Sequence, residues 1–356
     1  MKISKIPGLG RFGVFIDDVD FKNLTEEEWL EIGKLHLTSL VTIIRNVDLT
    51  PLEYRSWITK WGTYRDLSQY NLEKKYKVYY SKLVEMANNN DPTLDPDDLM
   101  LLLASIRMTV RTDSGQITDV LKVTGRRDAD GNPLGMFAEG ELLWHSNESG
   151  NLCFTPGVSL LANEGVVGSA TGFVTTPDWY ERQSAAFRSE LDEMVIVHKF
   201  TPGKINPGLR KEQDLVMYKN MCPEDGSELP LVITSPGGIR GLHYSINTID
   251  YIKGMSKEES QKIFDRINQE LFTDEFIYDH WYQNDNDLCL FDNSITLHRR
   301  LGGITNRMCY RIQYDFDTIL DQPFDPYSLE PYRTMYRTQI ADVVSTLNKK
   351  RYKLPV

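Results

Sequence analysis

From about residue 117 onward, the chain alternates short runs of β-branched and aromatic residues with turn-forming residues. Such runs are typical of β-strands, because these side chains pack well on a pleated surface. Many short strands with only a few helices predict a mostly β protein with peripheral helices around a jelly-roll core. The predicted strands cover 13–17, 40–45, 117–123, 158–162, 168–176, 231–234, 287–291 and 310–314.

Capping signals locate the predicted helices. Thr25 with Glu28, and Thr50 with Glu53, form capping boxes, in which each side chain bonds the backbone N–H of the other residue. The first predicts a helix toward Leu37, and the second predicts a helix that ends near residues 61–62. Further helices are predicted at 178–193 and 256–271.

The segment 66–115 differs from its surroundings, because Asn, Asp and Pro interrupt it before a short predicted helix at 99–104. We interpret 66–115 as an insertion that forms a lid or an oligomer contact, with a packed peripheral helix as the alternative. Since β-rich folds often reach this length as one unit, we predict that residues 1–356 form a single domain.

Charge and cysteine content restrict the class of protein. A net charge of −11 disfavours nucleic-acid binding, which relies on clustered Lys and Arg. The four cysteines are far apart and form no CxxC pair, which disfavours zinc and disulfides and fits a reducing compartment. No signal region precedes the fold, and no run of about 18 apolar residues could span a membrane. We therefore expect a cytoplasmic protein that acts on a small-molecule substrate, either as a monomer or as a homo-oligomer.

Two segments, 144–147 and 292–298, have the layout of a metal site. Two His and one carboxylate on one face of an octahedron hold Fe(II) in non-haem oxygenases. Here His145 and His298 supply the imidazoles, but an amide, Asn147, occupies the carboxylate position. On a strand, residues i and i+2 share a face, so His145 and Asn147 are predicted to point together. If the strand ends at 149–151, Glu148 is an alternative ligand.

The remaining histidines carry no flanking motif. We expect each to be a surface residue or a core residue whose hydrogen bonds are satisfied. They are His36, His198, His243 and His280. His298 is predicted to close a strand-like segment, 290–297, in which Asp292-Asn293 forms a turn.

Arg307 and Arg311 lie four residues apart on a predicted strand and therefore face the same way. Arginine binds carboxylates through bidentate, charge-assisted hydrogen bonds, so the pair predicts an anion site. Apolar residues alternate with the arginines, which favours burial over a solvated surface pair. Thr171, within 168–173, would add a hydroxyl to the same oxyanion.

Together these segments resemble the taurine dioxygenase family of Fe(II)/2-oxoglutarate-dependent oxygenases. The resemblance runs over most of the chain. Segment 144–147 stands where the family has Trp-His-Thr-Asp, and Asp292-Asn293 followed by His298 is similar to the family's distal motif. Arg307 and Arg311 look like its final arginine pair. Similar segments lie at 13–20, 40–46, 49–51, 155–157 and 168–171.

The resemblance implies a double-stranded β-helix with iron between His145 and His298. Fe(II) would be the cofactor, with 2-oxoglutarate and O2 as cosubstrates. The far carboxylate of 2-oxoglutarate would pair with Arg307 and Thr171, and Arg311 would face the cosubstrate or an anionic substrate. The spacing from His298 to Arg307 is slightly shorter than in the family. The alternative in which Arg311, and not Arg307, binds the far carboxylate of the cosubstrate therefore stays open.

The resemblance predicts oxidation, by default hydroxylation, of a C–H bond in a small polar or anionic substrate, with succinate and CO2 as co-products. Asn147 departs from the family's Asp or Glu and leaves two alternatives. One is a metal-weakened pseudoenzyme that binds a ligand or a partner. The other is a halogenase-like variant that uses an exogenous anion. Since 66–115 is unlike the short family prototype, the substrate is not implied.

Overall fold

The computed structural model describes residues 1–62, 72, 75–115, 117–137, 141–149, 155–199, 226–302 and 306–321. The helices are α1 (Glu26–Ser39), α2 (Pro51–Ile58), α3 (Tyr80–Asn88), α4 (Pro96–Met108), α5 (Pro177–Arg182), α6 (Ala185–Glu193) and α7 (Lys257–Leu271). The first strands are β1 (Lys2–Lys5), β2 (Val14–Asp17), β3 (Val41–Ile44), β4 (Thr109–Arg111), β5 (Ile117–Thr124), β6 (Leu142–His145), β7 (Gly157–Glu164) and β8 (Ser169–Thr175). The later strands are β9 (Val195–His198), β10 (Ser227–Pro230), β11 (Val232–Thr234), β12 (Arg240–Leu242), β13 (Ile249–Ile252), β14 (Ile277–Trp281), β15 (Asp287–Asp292), β16 (Thr296–Gly302) and β17 (Met308–Tyr314).

Two sheets form the centre of the molecule. The larger has the order β1-β2-β3-β15-β7-β17-β5-β4, and the smaller has the order β14-β8-β16-β6. Apolar side chains from both sheets pack in one cluster, in which the rings of Phe173 on β8 and Phe291 on β15 lie 5.3 Å apart. The chain is therefore mostly β, as predicted, and two facing sheets are consistent with the predicted jelly roll.

Helices cover the outer face of the larger sheet. Trp29 of α1 stacks on Trp61 just beyond α2, with ring centroids 4.3 Å apart, in a cluster that includes Leu288 and Ile312 of the sheet. The capping boxes predicted at residues 25–28 and 50–53 are both present. Among the described helices, none is long and apolar enough to cross a membrane.

Two helix boundaries differ from the prediction. Helix α2 ends at Ile58, before the predicted 61–62. The predicted helix 178–193 is two helices, because Ser184 accepts a hydrogen bond from the Phe187 N–H and so caps a new helix after the break at Gln183.

Helices α3 and α4 pack against each other within 66–115. Their contact has its own apolar cluster, which includes Leu83, Ala87, Leu102 and Ile106. Residues 66–71 and 73–74 lie outside the described part of the chain. That 66–115 is an insertion, and that residues 1–356 form one domain, stay predictions.

The chain changes sheets between Asp292 and Thr296. Strand β15 of the larger sheet ends at Asp292, and β16 of the smaller sheet begins at Thr296. The predicted turn at 292–293 within the segment 290–297 agrees with this arrangement, since the chain turns at 293–295. After this turn, His298 lies at the third position of β16.

Candidate active site

His145 and His298 face each other across two paired strands. His145 ends β6, and it lies directly opposite His298 in the antiparallel pairing of β6 with β16. The two ring centroids are 4.1 Å apart. The structure thus brings together the two histidines that the sequence places more than a hundred residues apart.

Both imidazoles are neutral at pH 7. Burial, together with the positive charges of Arg311 and Arg300, lowers the pKa of His145 to about 4. Burial and the neighbouring His145 and Arg311 lower the pKa of His298 well below its usual value. A neutral imidazole is the form that binds a metal.

The hydrogen bonds of the two rings leave metal-binding nitrogens available. The His145 Nδ1–H donates to the Leu143 carbonyl oxygen at 2.6 Å, which leaves Nε2 with a free lone pair. The Nδ1 of His298 is buried without a hydrogen-bond partner. A backbone carbonyl that fixes the tautomer of a histidine is the usual support of a metal ligand.

Asn147 lies beyond the end of β6, so the argument from strand alternation does not apply to it. Its position is set instead by Asn293. The Asn147 N–H donates to Asn293 Oδ1 at 2.7 Å, and Asn293 Nδ2 donates to the carbonyl oxygens of Asn147 and Thr155, both at 2.9 Å. Only 6% of Asn147 is exposed, and its Nδ2 has no hydrogen-bond partner.

Glu148, the alternative ligand, has a left-handed backbone conformation with φ of 64°. Its Oε2 accepts a hydrogen bond from the Thr155 hydroxyl at 2.7 Å. Across the described residues, no three His, Cys, Asp or Glu side chains converge to hold a metal ion. That the Asn147 amide is the third metal donor beside His145 and His298 stays a prediction.

These residues fit a divalent metal ion. Two neutral imidazoles lie side by side, and two buried polar nitrogens, His298 Nδ1 and Asn147 Nδ2, have no hydrogen-bond partner among the described residues. Buried polar groups are nearly always hydrogen-bonded, so such orphans indicate that a ligand or ion completes the site.

Arg311 lies on β17 of the larger sheet, and its charge lowers the pKa of both His145 and His298. It therefore lies near the histidine pair. Its guanidinium places a positive charge near the histidine pair, and positive charge attracts anionic ligands.

Arg307 lies deeper, just before β17, with 3% of its surface exposed. Its Nε–H donates to Cys309 Sγ at 2.9 Å, and its Nη1 donates to Ser169 Oγ at 3.4 Å. Thr171, on the facing strand β8, is also buried. Its hydroxyl lies 2.7 Å from the Tyr282 hydroxyl, whose ring in turn lies 5.6 Å from the Arg307 guanidinium.

Residues 3–313 match the taurine catabolism dioxygenase TauD, TfdA family. The chain belongs to this family. Membership supports an oxygenase, as the motifs around His145 and His298 predicted. Among curated proteins, none matches the sequence.

Solved structures with a similar fold include members of this family. The crystal structure of AAD-2 in complex with Mn(II) and N-oxalylglycine is 19% identical, covers 88% of this chain and 97% of that chain, and has a TM-score of 0.60. A taurine dioxygenase from Burkholderia xenovorans is 18% identical, covers 88% of this chain and 89% of that chain, and has a TM-score of 0.57. At these identities the likeness shows the fold.

One interior residue that the sequence analysis missed is Arg300, two positions after His298 on β16. It is 4% exposed and lies opposite Thr171 in the pairing with β8. Burial and the nearby charge of Arg307 lower the pKa of Arg300 to about 10. The sequence could have indicated Arg300 as a residue near the site, because it lies two positions after His298 and residues i and i+2 of a strand share a face.

The four histidines without motifs are all buried. His36 lies 3.2 Å from the Thr42 hydroxyl, and His198 lies 2.9 Å from the Thr248 hydroxyl. His243 Nδ1 donates to the Ser294 carbonyl at 2.8 Å, and His280 pairs with Asp287 at 2.8 Å. His243 and His280 thus agree with the prediction of core residues with satisfied hydrogen bonds, whereas the Nε2 atoms of His36 and His198 have no hydrogen-bond partner among the described residues.

Proposed function

We propose that this member of the family is an Fe(II)/2-oxoglutarate-dependent dioxygenase. It oxidises, by default hydroxylates, a C–H bond of a small polar or anionic substrate and releases succinate and CO2. The observation that carries the proposal is the pair of neutral imidazoles, His145 and His298, with ring centroids 4.1 Å apart. AAD-2, which has a similar fold, binds Mn(II) and N-oxalylglycine, and this supports a divalent metal with a 2-oxoglutarate-like ligand.

His145, His298 and the Asn147 amide oxygen would hold the iron. When bound, Fe(II) supplies the redox chemistry with O2 and 2-oxoglutarate. Asn293 holds the Asn147 segment in place through its bonds to backbone atoms on either side. The neutral amide weakens the hold on iron relative to a carboxylate.

The two arginines would divide the anion binding between them. Arg307 and Thr171 lie close to the shared Tyr282, which supports their joint role at the far carboxylate of 2-oxoglutarate. Arg311 lies close to the histidines, which supports a role at the metal-proximal end of the cosubstrate or at an anionic substrate.

A second candidate is a halogenase-like variant, in which an exogenous anion binds beside Asn147. It is favoured by the buried Asn147 Nδ2, a hydrogen-bond donor that has no partner within the part of the chain that the structure describes. An anion there would accept that hydrogen bond and supply the charge that Asn147 lacks. Turnover that depends on added chloride or bromide separates this candidate from the leading proposal.

Anaerobic titration with Fe(II) and 2-oxoglutarate tests the proposal. The wild-type protein is expected to show a weak visible charge-transfer band under argon and to release succinate when O2 is admitted. In Asn147→Asp, iron is expected to bind about tenfold tighter or more, since changes around a metal site shift affinity by about 10- to 100-fold. Iron uptake by Asn147→Asp but not by the wild type would overturn the proposed enzymatic function and would favour a ligand-binding protein.

A further inference from the structure

Tyr282 follows β14 and lies between the two groups proposed to bind the far carboxylate. It is 1% exposed, and its backbone N–H donates to the Ser169 carbonyl at 3.1 Å. Its hydroxyl lies 2.7 Å from Thr171 Oγ1, and its ring lies 5.6 Å from the Arg307 guanidinium. It therefore contacts both Thr171 and Arg307.

The hydroxyl of Tyr282 can fix the direction in which Thr171 donates. Each hydroxyl has one proton, and an ionised carboxylate only accepts hydrogen bonds. If Thr171 donates its proton to a carboxylate, its oxygen must accept one from Tyr282. The third group in line is the Cys289 thiol, 3.6 Å from the Tyr282 oxygen, which can donate in turn.

Tyr282 and Cys289 both keep their protons at neutral pH. Burial and the nearby Cys289 raise the pKa of Tyr282 well above its usual value. Burial likewise raises the pKa of the Cys289 thiol. The chain from Cys289 through Tyr282 to Thr171 therefore has donors available at each step.

Arg307 keeps its positive charge for a ligand. Its hydrogen-bond acceptors are the Cys309 sulfur and the Ser169 hydroxyl oxygen, and the Tyr282 ring lies under its guanidinium. Within the described residues, no carboxylate forms an ion pair with Arg307. A buried cation without an anionic partner is costly, so a carboxylate ligand would be strongly favoured there.

We propose that Tyr282 is a positioning residue that orients the Thr171 hydroxyl toward the far carboxylate of a dicarboxylic 2-oxo acid. This inference rests on the proposed function, since it assigns a further residue to the cosubstrate site. Tyr282 thereby contributes to the selection of 2-oxoglutarate over 2-oxo acids that lack the second carboxylate.

The test compares two ligands in the Mn(II)-loaded protein under argon, by calorimetry. In Tyr282→Phe, the dissociation constant for 2-oxoglutarate is expected to rise about threefold to tenfold, as for the loss of one hydrogen bond. The dissociation constant for 2-oxobutyrate, which lacks the far carboxylate, is expected to stay unchanged. The ratio of the two constants does not depend on the fraction of folded protein, so a destabilised variant still gives an answer.

Tyr54→Phe is the matched control. It also removes a buried tyrosine hydroxyl, which lies 2.6 Å from Ser159, but Tyr54 packs in the helix-covered cluster on the other face of the larger sheet. Both dissociation constants are expected to be unchanged in this variant.

A double-mutant cycle separates action through Thr171 from an independent effect. Tyr282→Phe is expected to have no effect on 2-oxoglutarate binding in a Thr171→Val background. Additive effects, or an equal loss for 2-oxobutyrate, would overturn the positioning role. If wild-type protein binds 2-oxoglutarate but Tyr282→Phe binds it equally well, the inference fails alone. If the wild type binds none, the proposed function fails with it.

Discussion

At the residue scale, Asp292 is a buried acid at the turn between the two sheets. Its Oδ1 accepts hydrogen bonds from the backbone N–H groups of Ser294 and Ile295, at 2.7 and 3.2 Å. Its Oδ2 is buried and has no partner. Burial outweighs the backbone hydrogen bonds and raises the pKa of Asp292 to about 6.

This raised pKa predicts a pH-dependent effect of Asp292→Asn. In the unfolded chain the pKa of Asp is about 3.9, so the proton binds more tightly to the folded protein. The stabilisation is complete below about pH 4 and is lost as the pH rises through 6. Since Asn mimics the protonated acid, Asp292→Asn is expected to be more stable than the wild type at pH 8, by about 2 to 3 kcal/mol at most.

Urea unfolding of both proteins at pH 4 and pH 8 measures this effect. The difference in the free energy of unfolding is expected to shrink strongly at pH 4. A difference of the same size at both pH values would show that ionisation of the Asp292 carboxyl does not destabilise the folded protein.

Residue identities in the site were predictable where a short motif carries them. His145, His298, Thr171 and Arg307 were named from the sequence, and the structure places them inside the two-sheet core. Tyr282 was not, because its contact with Thr171 joins residues 111 apart and no local pattern marks it.

At the element scale, Asn293 joins the turn after β15 to the loop after β6. It makes three side-chain hydrogen bonds, to the Asn147 N–H and to the carbonyl oxygens of Asn147 and Thr155. Of the proposed metal donors, residue 147 lies on the loop after β6, and residue 298 lies on β16, which directly follows the turn. Asn293 therefore sets the position of one segment relative to the other.

Asn293→Ala is expected to weaken Mn(II) binding by about 10- to 100-fold, the usual effect of losing a residue that supports a metal ligand. Calorimetric titration with Mn(II) measures the affinity. Asn268→Ala is the matched control, because it removes a half-buried amide whose Oδ1 accepts a hydrogen bond from the Tyr244 hydroxyl at 3.0 Å, where α7 meets the adjoining cluster. Equal losses in the two variants would contradict the specific role of Asn293.

Elements were predictable where the signal is local. The capping boxes at Thr25, Thr50 and Ser256 each begin a helix, because both partners of the box lie within four residues. The turn after Asp292 was predicted, but the sequence did not predict that it joins two different sheets. Its position depends on backbone bonds to distant segments, such as the Asp292 N–H to the Leu40 carbonyl at 2.8 Å.

At the scale of the whole molecule, the site is assembled from both sheets. His145, Thr171 and His298 come from the smaller sheet, whereas Arg307 and Arg311 lie at the start of and on β17 of the larger sheet. The sequence predicted a mostly β architecture from the alternation of its runs. It could not predict which strands pair, because neighbours such as β7 and β15 are far apart in the chain.

Because the site spans both sheets, a ligand that contacts both is expected to stabilise the whole fold. In the presence of saturating Mn(II), 2-oxoglutarate at 100 times its dissociation constant would add about 2.7 kcal/mol to the free energy of unfolding. At the same concentration, 2-oxobutyrate is expected to stabilise less, since it lacks the carboxylate that reaches Arg307. Thermal unfolding with each ligand measures the difference.

Arg307→Gln supplies the control for this comparison. Without the guanidinium, 2-oxoglutarate is expected to lose its advantage over 2-oxobutyrate, while Mn(II) alone stabilises the variant and the wild type equally. If the two acids raise the unfolding temperature of the wild type to the same extent, the ligand does not engage the buried arginine. The ligand would then link the two sheets only through the groups near the metal. Arg311 would be the residue of the larger sheet that it contacts.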